Sequence, residues 1–353
     1  MGVRLLVGTS VGLFLLDSDG AREEWTLSGP HHKGWKVYSA LGRGDQVLVG
    51  LTNAFFGAHL ERSTDRGANW EAVPVGPAYP QGGERRLKEI WQLAPRPAGG
   101  LYAGVAEAGL FESPDEQEWT LNAGLEGHPT RSLWQPGAGG LCLHTILPDP
   151  KDPDRLYIAI SAVGLFRSDD GGASWVIKNE GVKPADPRED PKYSEVNRCV
   201  HKAVQDPTRP ERLYQQNHTG VYRTWDAGDH WERIETGLPS WFGFGMLMHP
   251  RRPDTLYVVP HESDMSRLFA GGELRVYRSD DAGEHWEPAA SGLPRQAYAS
   301  SLRDAFAIDS ADPAGLYLGT TGGELWFSPD EGGSWRRLPG HFPRILTVKV
   351  AFA

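Results

Sequence analysis

A short motif recurs at near-regular intervals along the chain, and this repeat constrains the fold more than any other feature of the sequence. It has the form S/T-x-D-x-G-x-x-W and occurs five times, at residues 63–70, 168–175, 224–231, 279–286 and 328–335. A sixth copy at 113–119 lacks the glycine and one residue, and a more degenerate seventh lies around Asp19 and Trp25. The motif aspartates at positions 65, 115, 170, 226, 281 and 330 are 50, 55, 56, 55 and 49 residues apart. This period favours a repeating unit of four short strands.

Each residue type in this motif, which we call the box, has a role in building a turn. Serine, threonine and aspartate side chains hydrogen-bond to nearby backbone N–H groups, glycine adopts positive φ without a steric penalty, and tryptophan packs between neighbouring sheets. Two strand-like segments precede most boxes, one that begins with Leu-Tyr, as at Leu156, and one that begins with glycine, as at Gly164. We therefore predict that the boxes are structural and that each unit contributes four strands.

With these boxes and strands the chain resembles the Asp-box (BNR-repeat) β-propellers, a superfamily that includes sialidases, xyloglucan-processing glycosidases, sortilin-like receptors and photosystem II assembly factors. The resemblance covers essentially the whole chain and implies an all-β, seven-bladed β-propeller in a single domain, residues 1–353. The first unit begins near Val3 without a first strand of its own, and residues 344–350 have the missing pattern. We predict that the N- and C-terminal strands close one blade together and so remove an open sheet edge.

The composition disfavours several other classes of protein. Asp and Glu number 46 against 36 Lys and Arg, and the resulting net charge of −10 argues against a nucleic-acid surface. The chain has two cysteines, too few for a disulfide framework. No stretch reaches about 18 continuous apolar residues, the length that a membrane-spanning helix requires. We expect a cytoplasmic protein that binds neither nucleic acid nor membrane.

The resemblance also implies that the first strands of the blades line a central channel, and a fixed spacing gives the residues expected at its mouth. Thirteen residues before the tyrosine of each Leu-Tyr strand lie Glu89, His144, His201, Phe244 and Asp304. Alignment of the two remaining units adds Lys36 and Arg344. Convergent ionisable side chains are a common mark of a ligand site. The alternative is that these are solvated polar residues around a water-filled hole.

Loops expected on the same face carry further hydrogen-bonding residues. The candidates that flank first strands or occupy short turns are Asn197, Arg198, Gln216, Asn217, His218 and Arg303. The longest loop, 260–273, contains His261, Glu262, Asp264 and Arg267. A loop of this length without secondary structure of its own is often functional. The loop 53–60 is also long.

Aromatic residues complete the predicted site. Trp241, Phe242 and Trp134 each precede a first strand and are candidates for stacking on sugar rings, with burial in the core as the alternative. The predicted ligand-binding residues are His144, His201, Arg198, Asn217, His218, Arg303, Arg344 and Trp241. The predicted catalytic residues are Glu89, Asp304 and Glu262.

A repeated C-x-H pattern raises the alternative of a metal site. Cys142 with His144, and Cys199 with His201, place a thiol and an imidazole on one face of each of two strands. Together they offer the two-cysteine, two-histidine donor set of a zinc site. The two strands belong to different blades, however, and cysteine is often a small buried hydrophobic residue. We therefore predict no metal and no other cofactor.

The sequence leaves an enzyme and a non-catalytic binding protein open as functions. A sialidase is disfavoured, because Phe342, Arg344 and Ile345 give only a scrambled form of the family's signature and no Tyr-Glu nucleophile pair is found. Another glycosidase needs only two opposed carboxyl groups, for which the candidates are Glu89, Asp304, Glu262 and Asp264. The same residues in a binding protein, sortilin-like or assembly-factor-like, would hold a peptide or a partner protein. We predict a glycan or small-molecule ligand at the channel mouth and leave catalysis open.

Overall fold

Short antiparallel strands joined by glycine-rich turns make up nearly all of the regular structure. The computed structural model describes residues 2–80, 82–83, 85–185 and 195–352. Within these residues the strands form seven four-stranded sheets. The fold is an all-β, seven-bladed β-propeller, and the prediction of fold class is confirmed.

The strands follow one another from blade to blade along the chain. Blades 1 to 3 contain β1 Arg4–Thr9, β2 Gly12–Ser18 and β3 Trp25–His31; β4 Lys36–Arg43, β5 Gln46–Asn53, β6 Gly57–Ser63 and β7 Glu71–Ala72; and β8 Ile90–Pro95, β9 Leu101–Val105, β10 Gly109–Ser113 and β11 Thr120–Leu121. Blades 4 and 5 contain β12 Leu143–Pro148, β13 Leu156–Ile160, β14 Gly164–Ser168 and β15 Val176–Ile177, and β16 Val200–Gln205, β17 Leu213–Asn217, β18 Gly220–Thr224 and β19 Glu232–Arg233. Blades 6 and 7 contain β20 Gly243–Met248, β21 Leu256–Pro260, β22 Tyr277–Ser279 and β23 Glu287–Pro288, and β24 Phe306–Ile308, β25 Leu316–Gly319, β26 Leu325–Ser328 and β27 Arg336–Arg337.

The last strand, β28 Ile345–Phe352, completes blade 1. It pairs antiparallel with β1, so that Val350 lies opposite Leu5 and Val348 opposite Val7. The sheet order is β28, β1, β2, β3. The predicted closure by the terminal strands is therefore confirmed, and β1 has a strand on each side.

The boxes form hydrogen-bonded turns, as the residue types predict. In the box at 168–175, the Ser168 hydroxyl donates to Asp170 at 2.8 Å and accepts the N–H of Gly172 at 2.8 Å. The Asp170 carboxylate also accepts the backbone N–H and the hydroxyl of Ser174, and these hydrogen bonds hold its pKa at about 2. Gly172 has a φ of 95°, which favours glycine. The side-chain oxygens of Ser168, Asp170 and Ser174 are thus all used in forming the turn.

Two box tryptophans, Trp231 and Trp286, hydrogen-bond to the backbone just after the preceding box. Trp231 is 5% exposed, and its indole N–H donates to the carbonyl oxygen of Lys178 at 2.9 Å. Trp286 is bound in the same way to the carbonyl oxygen of Ile234 at 2.8 Å. The indole therefore buries a large apolar surface and satisfies its single donor at the same time.

The structure divides into two compact units. The first comprises Met1–Asn53, Glu61–Glu71 and Ile234–Ala353, and the second comprises Ala54–Leu60 and Ala72–Arg233. A core cluster of the first unit contains Leu5, Val7, Tyr317, Phe327 and Val348. A core cluster of the second contains Tyr157, Leu165, Tyr222 and Trp231. The prediction of a single domain stays a prediction.

Helical structure is minor in the part of the chain that is described. The helix α1 Ala123–Glu126 begins at Asn122, whose side chain accepts the N–H of Leu125, and two 3-10 turns cover Arg131–Leu133 and Ala270–Gly272. None of the described helices has the length and apolar character needed to cross a membrane.

A β-bulge near the start of most first strands fixes which side chain lies at the strand end. In blade 4, Leu143 pairs with Ile160 and Thr145 pairs with Ala159, so His144 is the extra residue. The same register shift makes His201 the bulge residue of blade 5. The other bulge residues are Phe244 with Gly245 in β20, Trp91 in β8, Tyr38 in β4 and Leu346 in β28.

The thirteen-residue spacing therefore selects the wrong residue in blade 3 as the equivalent of His144, and the alignment does so in blades 1 and 2. Glu89 lies two residues before the bulge residue Trp91, because the link 96–100 between β8 and β9 is shorter than the corresponding link 149–155 of blade 4. Lys36 and Arg344 likewise precede Tyr38 and Leu346 by two residues. These three charged residues do not occupy the positions of His144 and His201.

Candidate functional site

Three positions at one end of a blade lie side by side because of the strand pairing. The residue two before the bulge offers its carbonyl oxygen to the residue that follows the second strand. In blade 5 the N–H of His218 donates to Cys199 at 2.9 Å, and in blade 4 the N–H of Ser161 donates to Cys142 at 3.0 Å. In blade 6 the N–H of His261 donates to Phe242 at 2.7 Å. The bulge residue is the third member, and we call these three positions the end triplet of a blade.

The end triplet of blade 5 consists of Cys199, His201 and His218. The thiol and one ring nitrogen of each histidine all lie within 4.8 Å of one another. The two imidazole rings meet edge to face, with centroids 5.6 Å apart. His201 is buried, whereas Cys199 and His218 are half-buried. The structure thus joins two residues predicted as ligand-binding with a cysteine considered only for the metal alternative.

Two further predicted residues lie beside this triplet and are held by backbone groups. The Arg198 guanidinium donates to the carbonyl oxygens of Val182 and Val196, both at 2.8 Å. Asn217 is fully buried, and its side-chain oxygen accepts the N–H of Thr219 at 3.3 Å. These contacts hold Arg198 against Val182 and Val196 and stabilise the turn after β17.

The corresponding residues of blade 4 have a different arrangement. Both ring nitrogens of His144 have protein partners, the hydroxyl of Thr145 at 2.9 Å and the carbonyl oxygen of Val200 at 3.0 Å. The Cys142 thiol donates to the carbonyl oxygen of Gly139 at 2.9 Å. Among the described residues, the metal-capable group therefore pairs Cys199 and His201 with His218, and not with the two blade 4 residues.

The first unit contains most of the other predicted residues. Asp304 is 4% exposed, and its carboxylate forms an ion pair with the Lys349 ammonium group at 2.8 Å. The Asp304 carbonyl oxygen also accepts the N–H of Val348 at 2.8 Å, so Asp304 connects the start of blade 7 with β28. Arg303 is half-buried and Arg344 is exposed. Glu89 belongs to the second unit and is half-buried. The catalytic roles of Asp304 and Glu89 stay predictions.

A cavity of about 320 Å³ lies at blade 6, beside the loop 260–273. Its lining residues come from the segment before β20, the end of β21, the loop and the start of β22. They are Pro239, Ser240, Pro260, Glu262, Ala270, Gly271, Glu273, Arg275 and Tyr277. Glu273 forms an ion pair with Arg275. Of the predicted catalytic residues, Glu262 is the one that lines this cavity.

The loop 260–273 has internal structure that the sequence did not reveal. A β-bridge joins His261 and Phe269, whose rings are 5.3 Å apart, and both residues are fully buried. Burial lowers the pKa of His261 to about 3, so this imidazole is neutral in the folded protein. His261 and Phe269 therefore anchor the loop, while Glu262 stays exposed.

The aromatic candidates separate into one surface residue and two core residues. Trp241 is 56% exposed and directly follows the cavity residue Ser240. Trp134 and Phe242 are 5% and 2% exposed, so for them the core alternative is correct. The sequence argument missed Arg275 and Tyr277 and gave Glu273 only as the end of a loop. Their proximity depends on how the loop folds back, for which the sequence gives no periodic signal.

No family model matches the chain. A curated xyloglucanase from Paenibacillus sp. is 24% identical over 58% of this chain and 22% of the xyloglucanase, so the chain spans about a fifth of that relative's length.

Solved structures with the same fold include glycoside hydrolases and one peptide-binding protein. A GH74 enzyme from Niastella koreensis superposes with a TM-score of 0.56 at 16% identity, over 97% of this chain and 65% of that chain. An ancestral GH74 enzyme gives a TM-score of 0.56 at 17% identity, over 83% of this chain and 36% of that chain. YCF48 bound to D1 peptide gives a TM-score of 0.56 at 12% identity, over 90% of this chain and 86% of that chain. These similarities show the fold alone.

Proposed function

We propose that the protein is a glycan-binding propeller of the glycoside hydrolase type and that the blade 6 cavity holds a short segment of a polysaccharide chain. The observation that carries the proposal is a cavity lined by two glutamates, Glu262 and Glu273. The exposed Trp241 directly follows Ser240, another lining residue.

The size and lining of the cavity suit a sugar. Its 320 Å³ lies at the lower end of the range of small-molecule sites, which is about 300–1,000 Å³. Carboxylates accept hydrogen bonds from hydroxyl groups, and a guanidinium donates them, so Glu262, Glu273 and Arg275 match the alternating hydroxyls of a pyranose. An exposed indole presents a flat apolar face for stacking on the ring. Trp241 supplies that face.

The two carboxyl groups also supply what glycoside hydrolysis needs. One must protonate the oxygen of the leaving sugar, and the other must act on water or on the anomeric carbon. The ion pair with Arg275 holds the Glu273 carboxylate in place at the cavity, so we assign the basic role to Glu273 and the acid role to Glu262. The similarity to a xyloglucanase and to GH74 structures supports a polysaccharide of the xyloglucan type as the first ligand to test.

The test measures binding and cleavage separately on the full chain. Affinity for xyloglucan and for a panel of other polysaccharides is measured by calorimetry, and cleavage by the release of reducing ends. We expect Trp241→Ala to weaken binding, and we expect Glu262→Gln and Glu273→Gln to abolish cleavage while the melting temperature is unchanged. Matched controls are Trp225→Ala, an exposed tryptophan of blade 5, and Glu287→Gln, an exposed glutamate of β23 in blade 6.

Each outcome decides one part of the proposal. Binding without cleavage supports the glycan site and rejects the hydrolytic roles of the two glutamates. Binding that Trp241→Ala and Trp225→Ala weaken equally would place the sugar elsewhere and refute the cavity. If no polysaccharide binds, the glycan proposal fails, and the peptide-binding alternative is then tested with peptide arrays.

A further inference from the structure

We propose that the end triplet of blade 5, Cys199, His201 and His218, binds a zinc ion. The site uses none of the cavity residues assigned to the glycan, so it goes beyond the proposed function. It gives His201 and His218 a role different from the glycan contacts predicted from the sequence.

The strand pairing brings the three donors together. Cys199 directly precedes β16, and His201, the bulge residue, lies two positions further along the chain. The hydrogen bond from His218 to Cys199, 2.9 Å long, holds the third residue beside the first. A tetrahedral zinc ion with Zn–S of about 2.3 Å and Zn–N of about 2.0 Å sets its ligand atoms roughly 3.3–3.6 Å apart. Since the three donor atoms already lie within 4.8 Å, side-chain rotation closes the remaining gap.

The type of donor selects the ion. A thiolate and two imidazoles are the ligands that zinc prefers, whereas magnesium and calcium prefer oxygen. Three protein donors and one further position for water form the donor set of an open zinc site. His201 is 3% exposed while Cys199 and His218 are half-buried, so the donors are partly shielded from water but reachable from solvent.

A comparison between blades shows that this chemistry is not a by-product of the repeat. The end triplet of blade 4 is Cys142, His144 and Ser161, in which serine replaces the second histidine. The end triplet of blade 6 is Phe242, Phe244 and His261, which pack as aromatic rings with Phe244 5.3 Å from Phe242 and 5.4 Å from His261. Of these three blades, blade 5 is the one whose end triplet consists entirely of metal-binding residues.

The direct test uses the full-length protein, reduced and freed of metal by a chelator, and adds metal alone. Zinc binding is measured by calorimetry, and cobalt is used as a spectroscopic substitute because a cobalt–thiolate bond gives a charge-transfer band. We expect one zinc ion per chain, a cobalt–thiolate band and a higher melting temperature on addition of zinc. A wild-type protein that binds no zinc, or binds cobalt without a thiolate band, would overturn the proposal without any variant being made.

The variants assign the ligands. Cys199→Ser should remove the thiolate band, and His218→Gln should lower zinc affinity at least about tenfold, the smaller loss known for residues that only support a ligand. Cys142→Ser and His285→Gln are the matched controls, a cysteine in the same position of blade 4 and an exposed box histidine. Circular dichroism establishes that each variant is folded. Loss of the band in Cys142→Ser with retention in Cys199→Ser would refute the assignment.

Discussion

His261 gives the sharpest test of the folded structure, because its ionisation is linked to folding. The residue is fully buried, its Nε2 accepts the backbone N–H of Ser301 at 3.1 Å, and its ring lies 5.3 Å from that of Phe269. Burial lowers its pKa from 6.5 to about 3. The folded protein therefore keeps this imidazole neutral at pH values where the unfolded chain protonates it.

The sign and size of the effect follow from proton linkage. Below pH 6.5 the unfolded state binds one more proton at this site than the folded state does, so the free energy of unfolding falls as the pH falls. The contribution is fully present above pH 6.5 and decreases until the pH reaches about 3. At about 1.36 kcal/mol per pH unit, the loss between pH 7 and pH 5 is about 2 kcal/mol.

The assay is urea unfolding between about pH 7 and pH 5, with wild type and His261→Gln side by side. The glutamine amide oxygen can accept the same N–H and does not titrate. We expect the wild-type free energy of unfolding to fall by about 2 kcal/mol more than that of the variant over this range. Burial also lowers the pKa of His31, His128 and His249, but these residues are present in both proteins and cancel. An identical pH dependence in the two proteins would refute the reasoning.

Three further predictions concern the turns and the closing strand. Trp231→Ala should reduce the free energy of unfolding by about 3–5 kcal/mol, whereas Trp225→Ala, at an indole that is 46% exposed, should change it by less than about 1 kcal/mol; equal losses in urea unfolding would contradict the packing role of the box. Gly172→Ala should lower the free energy of unfolding by at least about 1 kcal/mol, because φ is positive there. Gly76→Ala, with open space around its Cβ position, should lower it by less than about 0.5 kcal/mol. Truncation after Pro339 removes β28 and should lower the melting temperature, and a truncated chain that melts like the full chain would disprove closure through β1.

The fold was predictable because the box depends on local turn chemistry. Ser168, Asp170 and Gly172 lie within five residues and form their hydrogen bonds within one turn, so the motif shows in the sequence what the backbone does. The closing strand was predictable for a related reason. The first sequence repeat lacked a strand, and the segment before Val350 had the pattern of one. Pairing the two is favourable because it removes an unpaired sheet edge.

The position of individual site residues was harder to predict, because the links between the first and second strands of the blades vary in length, and no local sequence signal shows it. Counting back from Tyr102 assumed the link of blade 4 and selected Glu89, whereas the sheet register gives Trp91. The loop beside the blade 6 cavity is anchored by the bridge between His261 and Phe269. No repeat in the sequence predicts that these two residues pair. Sequence periodicity therefore predicted which strands exist and left the surroundings of their ends open.

The sequence argument did not assign His218 to a metal site, because periodicity does not show which residues meet at the strand ends. The repeated C-x-H pattern grouped Cys199 and His201 with Cys142 and His144 of another blade, whereas the third donor, His218, lies in the turn after the second strand of the same blade. The backbone hydrogen bond between His218 and Cys199 repeats in blades 4 and 6 with Ser161 and His261 as donors. Because this bond uses backbone atoms alone, any side chain can occupy the three positions while the strand pairing stays the same. Blades 4, 5 and 6 thus hold a cysteine–histidine–serine, a cysteine–histidine–histidine and an aromatic set on one backbone frame, and in a fold of this kind the chemistry is best sought at the strand ends.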